Sequence, residues 1–221
     1  MSTAGRSDGV LFDLDGTLAD SAPDLVAALA TLCAELGEPP PDRGAAGRVV
    51  SAGGRAILRK GLPTFDEKHI EAVLPRYLDL YAARAHVSTR LYDDVPALLD
   101  LLDARRIPWG IVTNKVGWLA APVVRHLGLE TRSRVLVAGD TLAQKKPDPA
   151  PVLHACARLG IEPARTAFVG DDRRDVEAGR AAGARTYVVG WGYLDGGDPR
   201  SWGADAIVDT PAALARVLLP S

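Results

Sequence analysis

Short apolar runs alternate with amphipathic stretches along this chain of 221 residues, and that alternation is the feature that most constrains its fold. Runs this short have the length of buried strands, while the stretches between them repeat leucine and valine with helical spacing. Strands and helices in regular alternation are typical of an α/β fold with a mainly parallel sheet. The predicted strands cover residues 9–13, 107–113, 134–137, 166–170 and 186–189, with a short sixth strand at 206–208.

One segment interrupts the alternation, because residues 21–90 have helical periodicity and no strand pattern. A connection between two strands is usually far shorter than this. We therefore expect an all-helical cap at 21–90, inserted into a Rossmann-like core formed by residues 1–20 and 91–221. The alternative is a single long crossover that belongs to the core.

Two helices of this insertion have recognisable ends. Ser21 to Asp24 has the pattern of a capping box with proline in the first turn, and the helix that it opens should end before Gly37. A second helix is predicted over residues 66–84. Between them, Ser51 to Arg55 is expected to form a glycine-containing loop.

The composition restricts the partners of this chain. Its net charge of −2, with 47% hydrophobic and 24% charged residues, provides a core but no basic excess for nucleic acid or an acidic membrane. The first apolar run is broken by Asp13 and is too short for a signal peptide or a membrane span. We expect a cytoplasmic enzyme, monomeric or homodimeric, in which Cys33 and Cys156 are buried reduced thiols.

The first predicted strand ends in two carboxylates, Asp13 and Asp15, followed by Gly16. Open α/β sheets bind ligands at the carboxyl ends of their strands. A carboxylate placed there can attack phosphorus as a nucleophile, and a second one can protonate the leaving alcohol and then activate water. Gly16 lets backbone N–H groups approach a phosphate closely. The alternative is a turn in which both acids only cap a loop.

Two further strand-end segments carry groups suited to a phosphate. Thr113 ends the second predicted strand and Asn114 follows it, where the threonine hydroxyl can donate to a phosphate oxygen with help from neighbouring backbone amides. Lys146, rather than its neighbour Lys145, is predicted to place an ammonium beside the phosphate and offset the charge that develops there.

The fourth predicted strand is followed by three carboxylates within five residues, Asp171, Asp172 and Asp175. Carboxylate oxygens at strand ends, with a position left open for phosphate, suit Mg²⁺. Asp171 is predicted to bind the metal together with Asp13. Asp175 is predicted as a further ligand or as a support for one, and Asp172 has the alternative role of capping the next helix.

With these residues in place, the chain resembles the haloacid dehalogenase-like phosphatases, and within them the phosphoglycolate phosphatase group, over residues 9–21 and 91–215. The resemblance implies a Rossmann-like core with a helical cap of the C1 type, Asp13 as nucleophile and Asp15 as general acid and base. It also implies Mg²⁺ bound by Asp13, the Asp15 carbonyl and Asp171. Haloacid dehalogenases themselves lack the second acid, so Asp15 argues against carbon–halogen chemistry.

The chain is further similar to the phosphatases that act on N-acetylmuramic acid 6-phosphate, an intermediate of peptidoglycan recycling. The segments that carry this similarity are 51–55, 109–115, 170–175, 192–193 and 202–205. They imply a small phosphorylated substrate with a carboxylate, for which Arg55 is a candidate bidentate ligand and Gly54 a cap-loop contact. 2-Phosphoglycolate is the alternative substrate. Three aromatic residues could either line a sugar-sized pocket or pack in the core or at its rim. They are Trp191, Tyr193 and Trp202.

Three other functions share parts of this pattern. A phosphomutase of the same superfamily would keep every motif and return the phosphoryl group to its substrate. A receiver-type signalling domain also combines clustered acids, a threonine and a lysine, but it has its phospho-acceptor on a middle strand and no large insertion after the first strand. An inactive homologue would bind phosphorylated ligands without turning them over.

Overall fold

The computed structural model describes residues 7–194 and 197–219. Its strands, in chain order, are β1 (Gly9–Phe12), β2 (Ala19–Asp20), β3 (Arg90–Leu91), β4 (Trp109–Val112), β5 (Leu136–Val137), β6 (Thr166–Gly170), β7 (Arg185–Val189) and β8 (Ala206–Val208). Six of them form one parallel sheet in the order β5-β4-β1-β6-β7-β8. The predicted α/β class and its mainly parallel sheet are confirmed.

The helices follow the predicted alternation. They are α1 (Ala22–Leu36), α2 (Arg43–Arg48), α3 (Gly54–Gly61), α4 (Glu67–Ala82), α5 (Val95–Ala104), α6 (Gly117–His126), α7 (Ala150–Leu159), α8 (Arg173–Ala181) and α9 (Pro211–Leu218). Short 3₁₀ turns occur at Val50–Ala52, Pro163–Arg165 and Pro199–Ser201. Among the described helices, none has both the length and the apolar character needed to cross a membrane.

The sheet is buried on both faces. Because side chains alternate along a strand, Val10 and Phe12 of β1 pack with α5, α6 and α9 on one face, while Leu11 packs with α7 and α8 on the other. Both cysteines are free and buried, Cys33 in α1 and Cys156 in α7. The predicted strand boundaries are one or more residues too long at β1, β4 and β5, since the polar residues after β1 and β4 belong to loops.

Up to the start of β3, the regular structure of the long insertion is helical, and we refer to residues 21–90 as the cap and to the other described residues as the core. The cap begins and ends side by side, because β2 and β3 form a small antiparallel pair that the sequence did not indicate. Helix α4 begins after the N-cap Asp66, whose side chain accepts from the N–H of His69. Helix α1 ends at Gly37 with φ of 71°. Helices α2 and α3 were missed, because each is too short for a clear period.

The predicted capping box at the start of α1 is wrong. The hydroxyl of Ser21 donates to Asp15 Oδ1 at 2.5 Å and makes no cap hydrogen bond. The carboxylate of Asp24 accepts from the N–H groups of Ser88 and Thr89 and from the Thr89 hydroxyl. Asp24 therefore joins the first cap helix to the segment that leads back into the core.

Candidate active site

The candidate site lies at the carboxyl end of three adjacent strands. β1 pairs with β4 on one side and β6 on the other, with Phe12 opposite Ile111 and Val169. Each strand is followed within one residue by a polar side chain, and the register brings these three together. They are Asp13, Thr113 and Asp171, all of which are buried.

Three carboxylates converge at this edge. Asp13, Asp171 and Asp175 each place one oxygen within 4.8 Å of the others. Burial raises the pKa of Asp171 well above its usual value, and the charges of Asp13 and Asp175 add to that rise. Burial likewise raises the pKa of Asp175, to about 7. Buried carboxylate oxygens in mutual repulsion are a donor set that fits a hard divalent cation. The side chain of Asp15 is not part of this group.

Lys146 neutralises part of this negative charge. Its ammonium lies 2.7 Å from Asp13 Oδ1 and 2.7 Å from Asp175 Oδ1, and it donates to the Val112 carbonyl at 2.9 Å. Burial alone would lower the pKa of Lys146, but the two carboxylates outweigh it, so the pKa is raised and the side chain stays charged. Lys145 is exposed.

Asn114 positions this lysine. Its amide oxygen accepts from the Lys146 N–H at 3.0 Å, and its amide nitrogen donates to the Lys146 carbonyl at 2.9 Å. Both ends of the side chain are therefore used by the loop that carries Lys146. The Asn114 side chain thus holds the loop of Lys146, and the phosphate contact predicted for this residue stays a prediction.

Asp15 is held by two residues that sequence reasoning did not single out. Ser21 donates from the start of the cap, and the Lys115 ammonium donates to both Asp15 oxygens at 2.8 and 3.0 Å. The same ammonium lies 4.6 Å from the ring centre of Tyr81. Lys115 follows Thr113 by two residues, so its place at a strand end was a usable signal. Ser21 was hidden by its resemblance to a helix cap.

Asp171 is fixed by donors from both the core and the cap. The Tyr193 N–H donates to its Oδ2 at 2.8 Å, and the Ser51 hydroxyl donates to the same oxygen at 2.9 Å. Gly16 packs against this carboxylate with φ of 87°, where an added Cβ would lie 2.1 Å from Asp171 Oδ2. Only glycine leaves room for the acid in that conformation.

Tyr193 connects this carboxylate to the start of the cap. Its hydroxyl accepts from the N–H groups of Ser21 and Ala22 and donates to Asp20. Trp191 donates to the Thr17 carbonyl, and Trp202 packs in a small cluster with Val176 and Val188. The packing interpretation of these three aromatic residues therefore describes the structure, and none of them lines the cavity described below.

Asp172 takes the capping role that was its alternative. Its side chain accepts from the N–H of Arg174, while its own N–H donates to Asp175 Oδ2, which completes a capping box at the start of α8. Arg174 also donates to both Asp172 oxygens and to the Ser51 carbonyl at 2.7 Å. Arg174 therefore connects the cap loop at Ser51 to the core through a hydrogen bond.

A cavity of about 290 Å³ separates the cap from these groups. Its floor is polar, with Asp13, Asp15, Thr113, Lys115 and Lys146. Its cap side is largely apolar. The cap side chains that make it so are Leu25, Val50, Ile57, Leu74, Tyr77, Leu78 and Tyr81.

The predicted cap-loop contacts border this cavity. Gly54 begins α3 and packs closely on the Tyr77 ring. Arg55 is half exposed, and its guanidinium forms a bidentate ion pair with Glu71 of α4. The Arg55 guanidinium, which was predicted to bind a substrate carboxylate, therefore already binds the carboxylate of Glu71.

Comparison with known proteins gives a consistent result. The family model described as haloacid dehalogenase-like hydrolase matches residues 10–189. An N-acetylmuramic acid 6-phosphate phosphatase of Pseudomonas aeruginosa is 44% identical over 215 residues, which are 96% of this chain and 95% of that protein. A phosphoglycolate phosphatase of Xanthomonas campestris is 43% identical over 206 residues, 93% of each chain. A crystal structure of a predicted phosphoglycolate phosphatase from Haemophilus somnus superimposes with a TM-score of 0.86 at 24% identity, covering 98% of this chain and 99% of that one.

Replacement of Gly16 by alanine tests the packing around Asp171. We expect Gly16→Ala to lower the free energy of unfolding by roughly 2 kcal/mol or more, because the new methyl group meets a carboxylate and the backbone has positive φ. Urea unfolding measures the change.

Gly47→Ala is the matched control for that measurement. An added Cβ at this α2 glycine meets no atom within 4 Å, so the substitution should be neutral or stabilise by up to about 1 kcal/mol. Equal effects of the two substitutions would contradict the proposed packing.

Proposed function

The chain belongs to the haloacid dehalogenase-like hydrolase family and is a phosphatase, and we propose that it hydrolyses N-acetylmuramic acid 6-phosphate through a phosphoryl group carried on Asp13. The observation that carries the mechanism is the position of Asp13, which is buried on the cavity floor between Lys146 and two further carboxylates. The observation that favours the substrate is the size and character of the cavity between the cap and the core.

In the first step, an Asp13 oxygen attacks phosphorus and the bond from phosphorus to the substrate oxygen breaks. The product alcohol leaves with a proton from Asp15, and Asp13 holds the phosphoryl group. In the second step, Asp15 takes a proton from water, the water oxygen bonds to phosphorus, and the Asp13–phosphorus bond breaks. Inorganic phosphate is released and both carboxyl groups return to their starting states.

The other core residues prepare Asp13 for this reaction. Lys146 orients Asp13 by its contact with Oδ1 and supplies a fixed positive charge beside the position of the phosphoryl oxygens. Thr113 is buried on the same floor, and its hydroxyl accepts from the Lys115 N–H at 3.2 Å, which leaves its proton for a phosphoryl oxygen. Asn114 contributes indirectly, because its hydrogen bonds to the Lys146 backbone hold that lysine in place.

The acidic group supports Mg²⁺ as the cofactor. Asp13, Asp171 and the Asp15 carbonyl would hold the ion, with Asp175 beside them. When bound, Mg²⁺ would offset the repulsion between the carboxylates and the incoming phosphate. The chain's own residues keep these oxygens in place, since Asp171 accepts from Ser51 and Tyr193, and Asp175 accepts from the Asp172 N–H.

The cavity favours a sugar phosphate over a two-carbon substrate. A volume of about 290 Å³ is at the lower end of pockets that enclose a small organic molecule. A glycolate group would leave most of the apolar cap side without contacts, whereas a sugar with acetyl and lactyl methyl groups would cover it. 2-Phosphoglycolate remains the second candidate, because a phosphatase named for it is 43% identical to this chain.

Substrate preference is the direct test of this proposal. With Mg²⁺ present, we expect kcat/KM for N-acetylmuramic acid 6-phosphate to exceed that for 2-phosphoglycolate by at least about tenfold, the ratio that corresponds to 1.4 kcal/mol of differential transition-state binding. A preference for 2-phosphoglycolate would overturn the proposed substrate. Release of phosphate without a bisphosphate activator separates the phosphatase from a phosphomutase, and turnover of an aryl phosphate separates it from an inactive homologue.

Metal binding can be measured without turnover. Saturating Mg²⁺ should raise the unfolding temperature of the wild-type protein, because a ligand that binds only the folded state stabilises it. Asp171→Asn should weaken Mg²⁺ binding at least about tenfold and remove most of this shift. Calorimetric titration gives the affinity.

Asp172→Asn provides the control for the metal experiment. This neighbouring acid is engaged by Arg174 and does not belong to the acidic group, so the variant should keep the Mg²⁺-dependent shift even where its helix cap is weakened. Loss of the shift in Asp172→Asn, or its retention in Asp171→Asn, would contradict the assignment.

A further inference from the structure

We infer that Lys115 is the specificity-determining residue of this phosphatase, and that its ammonium binds the substrate carboxylate with the help of the Tyr81 hydroxyl. The inference rests on the proposed function and deepens it, since it names the residues that bind the substrate carboxylate. It also replaces Arg55 in that role. The carboxylate of a lactyl group and that of a glycolate group are chemically equivalent here, and the experiment below separates them.

Apart from Lys145, which is exposed to solvent, the other cations that line the cavity are held by protein partners. Arg55 is in a bidentate pair with Glu71 on the cap. Arg174 is held by Asp172 and the Ser51 carbonyl. Lys146 donates to two carboxylates at the phosphoryl end and to a carbonyl, and these three acceptors use all three of its N–H donors. A substrate carboxylate would have to break one of these arrangements to bind there.

Lys115 is placed on the side of the leaving group. It contacts Asp15, which by the proposed mechanism touches the oxygen that leaves with the organic part of the substrate. An ammonium has three N–H donors, of which Asp15 uses two, and the third faces Tyr81, from which it can turn to a substrate anion. Burial would lower the pKa of Lys115, but Asp15 and Tyr81 outweigh it and raise the pKa, which supports a permanent positive charge.

Tyr81 provides the second donor. It is fully buried on the cap side of the cavity, and its hydroxyl donates no hydrogen bond to any residue within 7–194 and 197–219. An unsatisfied buried hydroxyl is costly, and a ligand that accepts from it removes that cost. Because the Lys115 ammonium lies 4.6 Å from the Tyr81 ring centre, both donors border the same part of the cavity. The two oxygens of one carboxylate can accept from both.

The charge of this pair explains why a carboxylate, rather than a neutral group, would be selected. Lys115 has only 7% of its side chain exposed, and the cap side of the cavity that it borders is largely apolar. Hydrogen bonds to a charged group in such surroundings are stronger than those between neutral groups. A substrate without the carboxylate leaves the proton of the Tyr81 hydroxyl without an acceptor and gives Lys115 no second anion, and is disfavoured for that reason.

The test compares substrates that differ in the carboxylate. N-Acetylmuramic acid 6-phosphate and N-acetylglucosamine 6-phosphate differ only by the lactyl ether, and 2-phosphoglycolate and ethyl phosphate form the second pair. Within each pair, the ratio of kcat/KM values measures recognition of the carboxylate. We expect Lys115→Gln to lower the wild-type ratio by about 10-fold to 100-fold, as for loss of a charged hydrogen bond. The pair whose ratio falls identifies the source of the carboxylate.

Comparing ratios separates recognition from damage to the site. Any effect of Lys115→Gln on Asp15 acts on both members of a pair and cancels in their ratio. Tyr81→Phe, which removes only the hydroxyl, should lower the same ratio several-fold. Arg55→Gln is the control and should keep the wild-type ratio, because Arg55 already has Glu71 as its partner.

The possible outcomes distinguish this inference from the proposed function. If the wild-type enzyme prefers carboxylate-bearing substrates and Lys115→Gln keeps that preference, Lys115 is not the anchor while the proposed function stands. Loss of the preference in Arg55→Gln alone would return the role to Arg55. If the wild-type enzyme does not distinguish the members of either pair, both the proposed substrate class and this inference are wrong.

Discussion

The contact of Lys146 with Asp13 and Asp175 is the interaction on which the rest of the site depends. Buried carboxylates within a few ångströms of each other repel, and burial itself opposes their ionisation. The Lys146 ammonium offsets this repulsion without filling the space where a cation and a phosphate would bind. The parallel sheet brings the acids together by placing β1 next to β6, and Asn114 holds the loop that carries the lysine against them.

The cap is chemically joined to this site rather than only covering it. Ser51 donates to Asp171, Ser21 donates to Asp15, and Tyr193 connects Asp171 with the first N–H groups of α1. A change in the position of the cap therefore changes the hydrogen bonds of both carboxylates. The cap also supplies the apolar side of the cavity, so under the proposed function the same segment recognises the organic group and positions the reactive acids.

The sequence predicted the parts of the site that follow from strand position. Asp13, Thr113 and Asp171 come directly after apolar runs, and parallel strands bring such residues to one edge. Lys146, which was predicted in preference to Lys145, is buried beside Asp13. The strand order, β5-β4-β1-β6-β7-β8, is what these local patterns could not provide.

The contacts that the sequence did not reveal join segments far apart in the chain. Tyr81 and Lys115 meet only when the cap packs on the core, and Tyr193 reaches Ser21 across 172 positions. The capping box at Ser21 failed for the same reason, since Asp15 competes for its hydroxyl and the segment at Thr89 competes for Asp24. Arg55 looked available for a substrate because its partner, Glu71, lies one helix further along the chain.

The identity of the nucleophile is the central claim, and trapping the phosphoryl-enzyme tests it most directly. Enzyme quenched in acid during turnover and then reduced with borohydride converts a phosphorylated aspartate into homoserine, which peptide mass spectrometry locates. The proposed mechanism predicts homoserine at position 13, and its absence when Asp13→Asn is treated in the same way. Homoserine at position 171 or 175, or a quenched enzyme without it at any position while phosphate is released, would contradict the mechanism.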